Sequence, residues 1–323
     1  IDVKTGGVVT AVSNPSFDPN LFVAGIGSKD YGALRDSPDL PLLNRMIAGE
    51  YPPGSTIKPL LVLAGLDGGF VTPDYQINDP GFYQLPGQTR KFRDWKKGGH
   101  GGGINAYLAI AQSCDIYFYQ LANRMGIDRM HDFLAPFGLG EPTGVDLSGE
   151  RKGVLPSREW KRKRFKQAWY PGDTINAGIG QGYHLTTPMQ LAAATATLAR
   201  RGIRIRPHLV KAIDGVDTPP AFDSPIVLHN PRNWDVAIGG MHEVAQGPRG
   251  TARKAFLGAP YTVAGKTGTA QVVGIAQNEK YDAAKLAERQ RDHGLFVAFA
   301  PVDNPQIAVA VIVENGNSGS GAA

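Results

Sequence analysis

Internal disulfides are excluded at the outset. The 323 residues contain one cysteine, Cys114, and a lone thiol says little about redox compartment. No run of about eighteen apolar residues occurs, so this stretch holds no membrane-spanning helix. No signal peptide is visible. The chain opens on "IDVKTGGVVTAV", a strand-like run with no lead-in, which reads as an excised piece of a longer protein, so a missing anchor is not evidence against one. Extreme composition is absent too. At 42% hydrophobic and 20% charged residues, the chain is neither disordered nor collagen-like and can bury a sizeable core in one large domain or two smaller ones. The net charge of +5 owes much to "REWKRKRFK", residues 158–166. Such a run can address nucleic acid or an anionic membrane. With no nucleic-acid motif beside it, it reads as a solvated loop or helix face.

The stretch "GGVVTAV" (6–12) is β-branched and bounded by Gly and by the turn "SNPS", which predicts a strand. "GSTIKPLLVLAGLDGG" predicts a helix that is apolar nearly all round and therefore buried. Pro59 fits only its first turn, so the helix starts near Ser55, and Gly68-Gly69 ends it. Residues 71–103 read as irregular. Helices follow in "INAYLAIAQS", "DIYFYQLANRMG" and "MHDFLAPFG". Another runs in "TTPMQLAAATATLARRG", with Pro188 near its start and Gly202 past its end. "YTVAGKTGTAQVVG", "HGLFVAFAP" and "IAVAVIVENG" are β-rich, with the charged connector "NEKYDAAKLAERQRD" between the first two. Together with 6–12 they predict an antiparallel sheet of at least four strands. The fold class is α+β: a sheet with helices packed on it plus a helical sub-lobe.

Three short elements carry chemistry. Ser55 and Lys58 in "STIK" share a helix face. Burial disfavours a charged lysine, and a neutral amine beside a hydroxyl makes Ser55 a nucleophile. Ser113-Cys114-Asp115 sits at a break between two helices, where a buried polar loop must be tied down or put to use. Lys266-Thr267-Gly268-Thr269 lies on a predicted strand. Gly268 would let a ligand backbone lie close. Lys266, Thr267 and Thr269 would face a carboxylate, and the N–H groups of Ser55 and Thr269 would form an oxyanion hole. Each piece alone is weak. Their order is that of serine β-lactamases and penicillin-binding proteins.

With "SNPSFDPN", "YPPGSTIKP", "GIGQGY", "TTPMQLA" and "KTGTAQ" added, the whole chain resembles a class B penicillin-binding protein transpeptidase domain. "RDWKKGGHG", "MGIDRM", "REWK", "WYPGDTI" and "RDHGLFVAFAP" make it most similar to the rod-elongation group of Gram-negative bacteria, penicillin-binding protein 2. The resemblance implies a penicillin-binding transpeptidase fold, also that of serine β-lactamases, over 1–323. Its sheet sub-lobe would be drawn from about 1–50 and 240–323 and its helical sub-lobe from about 55–200. A membrane anchor and pedestal would lie before this stretch, and one more helix after "SGSGAA". The resemblance further implies that Ser55 attacks the penultimate D-Ala carbonyl of a stem peptide while Lys58 takes its proton. Terminal D-Ala would leave through Ser113, and Lys266, Thr267 and Thr269 would hold its carboxylate. An amine of a second stem would resolve the acyl-enzyme, and β-lactams would acylate Ser55. Implied partners are stem peptides on a lipid-linked precursor, a RodA-type membrane glycosyltransferase and a periplasmic elongation scaffold, all at the periplasmic face of the inner membrane. No nucleic acid is implied. One position departs from the family: its second motif usually ends in Asn, and here Asp115 stands there. An ionised Asp cannot donate an N–H to substrate, so Asp115 is expected to pair with Lys58 or Lys266.

Asp79, Asp94, His100 and Cys114 are a legitimate Zn²⁺ donor set, but their loose spacing matches no finger pattern. Cys114 also reads as a small buried hydrophobe, His100 as a loop residue and the two Asp as turn residues. The resemblance implies a structural zinc near the second motif held by two Asp, one His and one Cys, and these four match in type and order. Three other functions use the same residues. A serine β-lactamase would need a deacylating Glu near Ser55, and none stands out between the second and third motifs. A D,D-carboxypeptidase would use water as acceptor. A β-lactam sensor would acylate without processing peptide.

Overall fold

The computed structural model describes residues 1–274 and 282–323, so the connector's residues 278–281 lie outside the described residues. The run 6–12 forms no strand. Val9 and Val12 are 63% and 75% exposed, and the segment's one bridge is Gly7 to His208. β-Branched residues favour strands because they suit a half-buried pleated surface, and these valines have no such surface to pack on. Pairing with the sheet occurs earlier, where Asp2 bridges Ile307 and the Ala308 N–H donates to Ile1 O at 2.9 Å. Gly6, at φ +84°, then turns the chain away; a Cβ there would stand 2.3 Å from Arg206 O.

Helices α1 (Ser28–Arg35) and α2 (Arg45–Ala48) precede a 3-10 turn, Gly54–Ile57, that runs directly into α3 (Lys58–Asp67). Pro59 occupies the first turn, where its missing N–H costs nothing. Every residue from Lys58 to Leu66 is buried. The stretch 71–103 is more ordered than expected. It contributes β1 (Ile77–Asp79), β2 (Phe82–Gln84) and β3 (Lys91–Arg93), and leads into β4 (Gly101–Ile104). β1 pairs antiparallel with β4, and β2 with β3. Strands of three or four residues among glycines are too short to show an alternating pattern.

Asn105 caps α4 (Ala106–Ala111) by accepting from the Leu108 N–H. α5 (Asp115–Leu134) is kinked at Gly126, φ +73° and ψ 165°, which breaks it near the gap between the two expected helices. Then come α6 (Arg158–Phe165), α7 (Pro171–Ala177) and α8 (Pro188–Ala199), the last opened by a Thr187–Gln190 capping box. A small hairpin, β5 (Ala212–Ile213) and β6 (Val216–Asp217), leads to α9 (Asn233–Gln246) and α10 (Arg253–Phe256).

The sequence pattern does not reveal α9, because Gly239-Gly240 in its middle weakens helix propensity. Their purpose is close packing. Cβ atoms there would lie 2.7 Å from Tyr107 and 2.8 Å from Ile110, so α4 seats directly on α9. β7 (Ala264–Ala270), β8 (His293–Ala300) and β9 (Ile307–Val313) form one antiparallel sheet in that order, with Lys266 opposite Val297 and Phe296 opposite Val311. Among the described residues this sheet therefore has three strands and the short N-terminal bridge, where four strands were expected. α9 packs along β7, α8 against β8 and β9, and α3 lies between α5 and α9. This places the head of α3 beside edge strand β7.

Candidate active site

The three sequence motifs meet at the head of α3. Gly54, at φ +54°, donates its N–H to Gly180 O at 2.9 Å. A Cβ on Gly54 would stand 2.5 Å from Thr269 O, so the nucleophile turn is pressed against β7. Ser55 is half-buried there, and its Oγ makes no hydrogen bond among the described residues. Lys58 is fully buried and turns to the second motif. Its Nζ donates to Asp115 Oδ1 at 2.6 Å, to Ser113 O at 2.9 Å and to Ser113 Oγ at 3.3 Å. Of the two partners expected for Asp115, the ion pair is made with Lys58.

Ser113 adopts the left-handed region at φ +57°. Such strain costs on the order of 1 kcal/mol or more and persists only where the surroundings enforce it. Here they do: Cys114 N–H donates to Ala109 O at 3.0 Å, and Asp115 N–H donates to Asp94 Oδ2 at 2.8 Å. Trp95 adds a further tie. Its indole N–H donates to Ser113 O at 3.1 Å and its backbone N–H to Asp115 Oδ2 at 3.1 Å. Burial raises the Asp115 carboxyl pKa, and the opposing pull of Lys58 does not cancel the rise.

On β7, Lys266 is fully buried and donates to Thr267 O at 2.9 Å. Burial, then the charge of Lys58, holds its pKa well below the ordinary lysine range, with Asp115 opposing. The glycine of this motif has a packing role: a Cβ on Gly268 would meet Thr56 Cγ2 at 2.8 Å and Leu295 Cβ at 3.2 Å, so the missing side chain admits the Ser55 turn.

Two residues absent from the sequence reading belong to the site. Gln181 Nε2 donates to Thr269 O at 2.8 Å, and Thr251 Oγ1 lies 2.7 Å from Thr267 Oγ1. The string "GIGQGY" contained Gln181 without showing its target. Thr251, an isolated hydroxyl in "PRGTAR", gave no signal, since only the packing of α9 along β7 brings its loop there.

Asp79, Asp94, His100 and Cys114 converge beside the second motif, with one donor atom from each within 4.8 Å of all the others. His100 Nδ1 lies 2.7 Å from Asp79 Oδ2 and 3.4 Å from Asp94 Oδ1, and Cys114 Sγ 3.4 Å from Asp79 Oδ2. All four side chains are buried. Burial and the charge of Asp94 push the Cys114 thiol up. Two carboxylates, an imidazole and a thiol with buried side chains are the donor types a tetrahedral zinc takes, and His100 Nε2 is buried without a hydrogen-bond partner among the described residues. The residues fit zinc.

Over residues 1–323 the chain matches the family model of the penicillin binding protein transpeptidase domain. It is 50% identical over 322 residues to the peptidoglycan D,D-transpeptidase MrdA of Escherichia coli K12, covering 98% of this chain and 51% of that protein. Among solved structures it resembles Pseudomonas aeruginosa PBP2 in complex with WCK 5153, with a TM-score of 0.91 and 53% identity over 100% of this chain and 67% of that one. It also resembles Helicobacter pylori PBP2 in complex with MreC, with a TM-score of 0.88 and 36% identity over 98% and 56% of the two chains. The chain spans about half the length of the curated relatives it matches.

Proposed function

Since the chain belongs to the penicillin-binding protein transpeptidase family, we propose that it is the catalytic portion of a peptidoglycan D,D-transpeptidase of the rod-elongation kind, acylated by β-lactams at Ser55. The observation that carries this reading is the packing of the Ser55 turn between the Lys58–Ser113–Asp115 network and edge strand β7.

Lys58 must be neutral to take the Ser55 proton, and Asp115, 2.6 Å from Nζ with its carboxyl pKa raised by burial, is placed to hold the lysine's proton meanwhile. Ser55 Oγ then attacks the penultimate D-Ala carbonyl. The oxyanion settles between the Ser55 and Thr269 amides. Ser113 Oγ, in contact with Lys58, returns a proton to the departing D-Ala nitrogen, whose carboxylate sits on Thr267 and Thr269 near Lys266. The amine of a second stem reverses the sequence to form the cross-link. Of the four glutamates between the second and third motifs, Glu150 accepts from Thr143 and Gly144, and Glu159 pairs with Lys163.

A structural Zn²⁺ would be held by Asp79, Asp94, His100 and Cys114. It would supply charge compensation and a cross-link between the 77–104 segment and the second motif. The remaining half of the full-length protein would supply a membrane anchor and pedestal, setting this domain at the periplasmic face of the inner membrane. There it would work with a RodA-type glycosyltransferase on lipid-linked precursor. The MreC-bound Helicobacter pylori relative supports an elongation scaffold as a further partner. The deciding experiment labels wild type and Ser55→Ala with fluorescent penicillin and follows a chromogenic β-lactam. One stoichiometric burst on wild type and no label on the variant are expected; steady turnover would make it a β-lactamase, and labelling of Ser55→Ala would remove the nucleophile assignment.

A further inference from the structure

The basic segment 158–166 takes no part in the chemistry above. Folded as α6, its cations are not equivalent. Lys161 is buried, with Nζ 2.5 Å from Asp173 Oδ2 and over the rings of Tyr170 (4.5 Å) and Tyr183 (5.3 Å). Arg158 pairs with Asp128 and Lys163 with Glu159. Arg162, Arg164 and Lys166 remain exposed and have no ion pair among the described residues.

These three cations are interleaved with partly exposed rings, and Arg164 itself lies over the Phe165 ring at 5.9 Å. Phe165 is 44% and Tyr170 56% exposed, and Phe165 packs on Tyr183 at 5.3 Å. The platform is rigid, because Asp173 Oδ2 accepts from both the Tyr170 N–H and Lys161 Nζ. It also adjoins the reaction groove. Tyr183 lies two residues beyond Gln181, which grips Thr269 O on β7, and two residues of chain reach about 7 Å at most.

We propose that this α6 face binds the peptidoglycan strand that β7 processes: its stem carboxylates on Arg162, Arg164 and Lys166, its sugar faces on Phe165 and Tyr170. The inference rests on the transpeptidase reading. The argument is charge complementarity at a fixed position. A strand of stem peptides carries several free carboxylates per repeat, and unpaired surface cations attract such anions within a Debye length, about 8 Å at physiological salt. Aromatic rings fixed beside the cations offer the apolar faces that pyranose C–H groups cover.

The test uses the full chain and a charge-reversed variant, R162E/R164E/K166E, with F165A/Y170A as a second. Each is sedimented with purified uncross-linked peptidoglycan strands, with the same strands after amidation of their carboxylates, and with phosphatidylglycerol-containing vesicles. Both variants should bind untreated strands about tenfold more weakly than wild type. Amidation should remove the difference between wild type and the charge variant, and penicillin acylation of Ser55 should stay within about twofold. Equal strand binding by wild type and variants overturns the proposal. So does charge-dependent binding to vesicles in place of strands, or a joint loss of acylation and strand binding, which would place the defect in the fold. Failure of wild type to acylate would sink the transpeptidase reading itself, separately from the strand result.

Discussion

The aspartate that closes the second motif sits where a neutral amide is usual, and its partner is a fully buried lysine 2.6 Å away. Removing one member of a buried ion pair strands the other charge, at a cost of about 3–5 kcal/mol. Asp115→Ala should therefore lower urea stability by about that much. Asp115→Asn also removes the counter-charge but keeps an oxygen toward Lys58, so it should lose less stability than Asp115→Ala while slowing acylation at neutral pH, because an amide cannot take the lysine's proton. Its deficit should shrink as pH rises and solvent removes that proton instead; a pH-independent deficit in stopped-flow acylation would refute the proton-holding role. Thr251→Val, which deletes one hydroxyl, should slow acylation by a carboxylate-bearing penicillin about fivefold, the worth of one hydrogen bond. The penicillin methyl ester should be unaffected and Thr251→Ser should restore the rate; equal losses for acid and ester would mean Thr251 only supports the fold. Residue identities were legible in the sequence wherever chemistry demands a type at a spacing, as with Ser55 and Lys58. Thr251 and Gln181 were not, because a hydroxyl or an amide acquires its meaning only from what packs against it.

At the scale of elements, long one-sided or all-round apolar patterns survived into the structure: α3, α8 and the runs that became β7, β8 and β9 are where the pattern put them. What failed was short or glycine-broken. The 6–12 run has strand-forming residues but no sheet edge, and α9 hides behind two glycines whose task is contact with α4. The same principle governs the nucleophile turn. Gly54 combines φ +54° with a Cβ position 2.5 Å from Thr269 O, so Gly54→Ala pays the left-handed penalty of about 1–2 kcal/mol and also drives the turn off β7. Acylation should fall by more than the stability loss accounts for, since the displacement separates Ser55 from Thr269. A variant acylating at wild-type rate would show that the turn and strand need not touch.

At the scale of the whole molecule, the second motif is held from two directions: by Lys58 from α3, and by Asp94, which spans the donor cluster and the α5 N-terminus. One Asp94 oxygen faces His100 and the other receives the Asp115 N–H at 2.8 Å. The cluster joins residues 79, 94 and 100 to residue 114, so a metal there would tie the two small hairpins to the catalytic loop. Its removal should act on both stability and reaction rate. Losing the compensation of a buried charge cluster costs on the order of 3 kcal/mol, which in a chain of this size lowers the melting temperature by about 4 °C. Purified protein should carry one zinc per chain by elemental analysis, and Cys114→Ala or chelator treatment should lower melting by that amount. Acylation should slow in parallel, because Ser113 then loses the constraint that keeps it at positive φ beside Lys58. Zinc restored to the chelated protein, but not to Cys114→Ala, should recover both. A zinc-free preparation that melts together with Cys114→Ala would leave Cys114 a buried hydrophobe and remove the metal from the account.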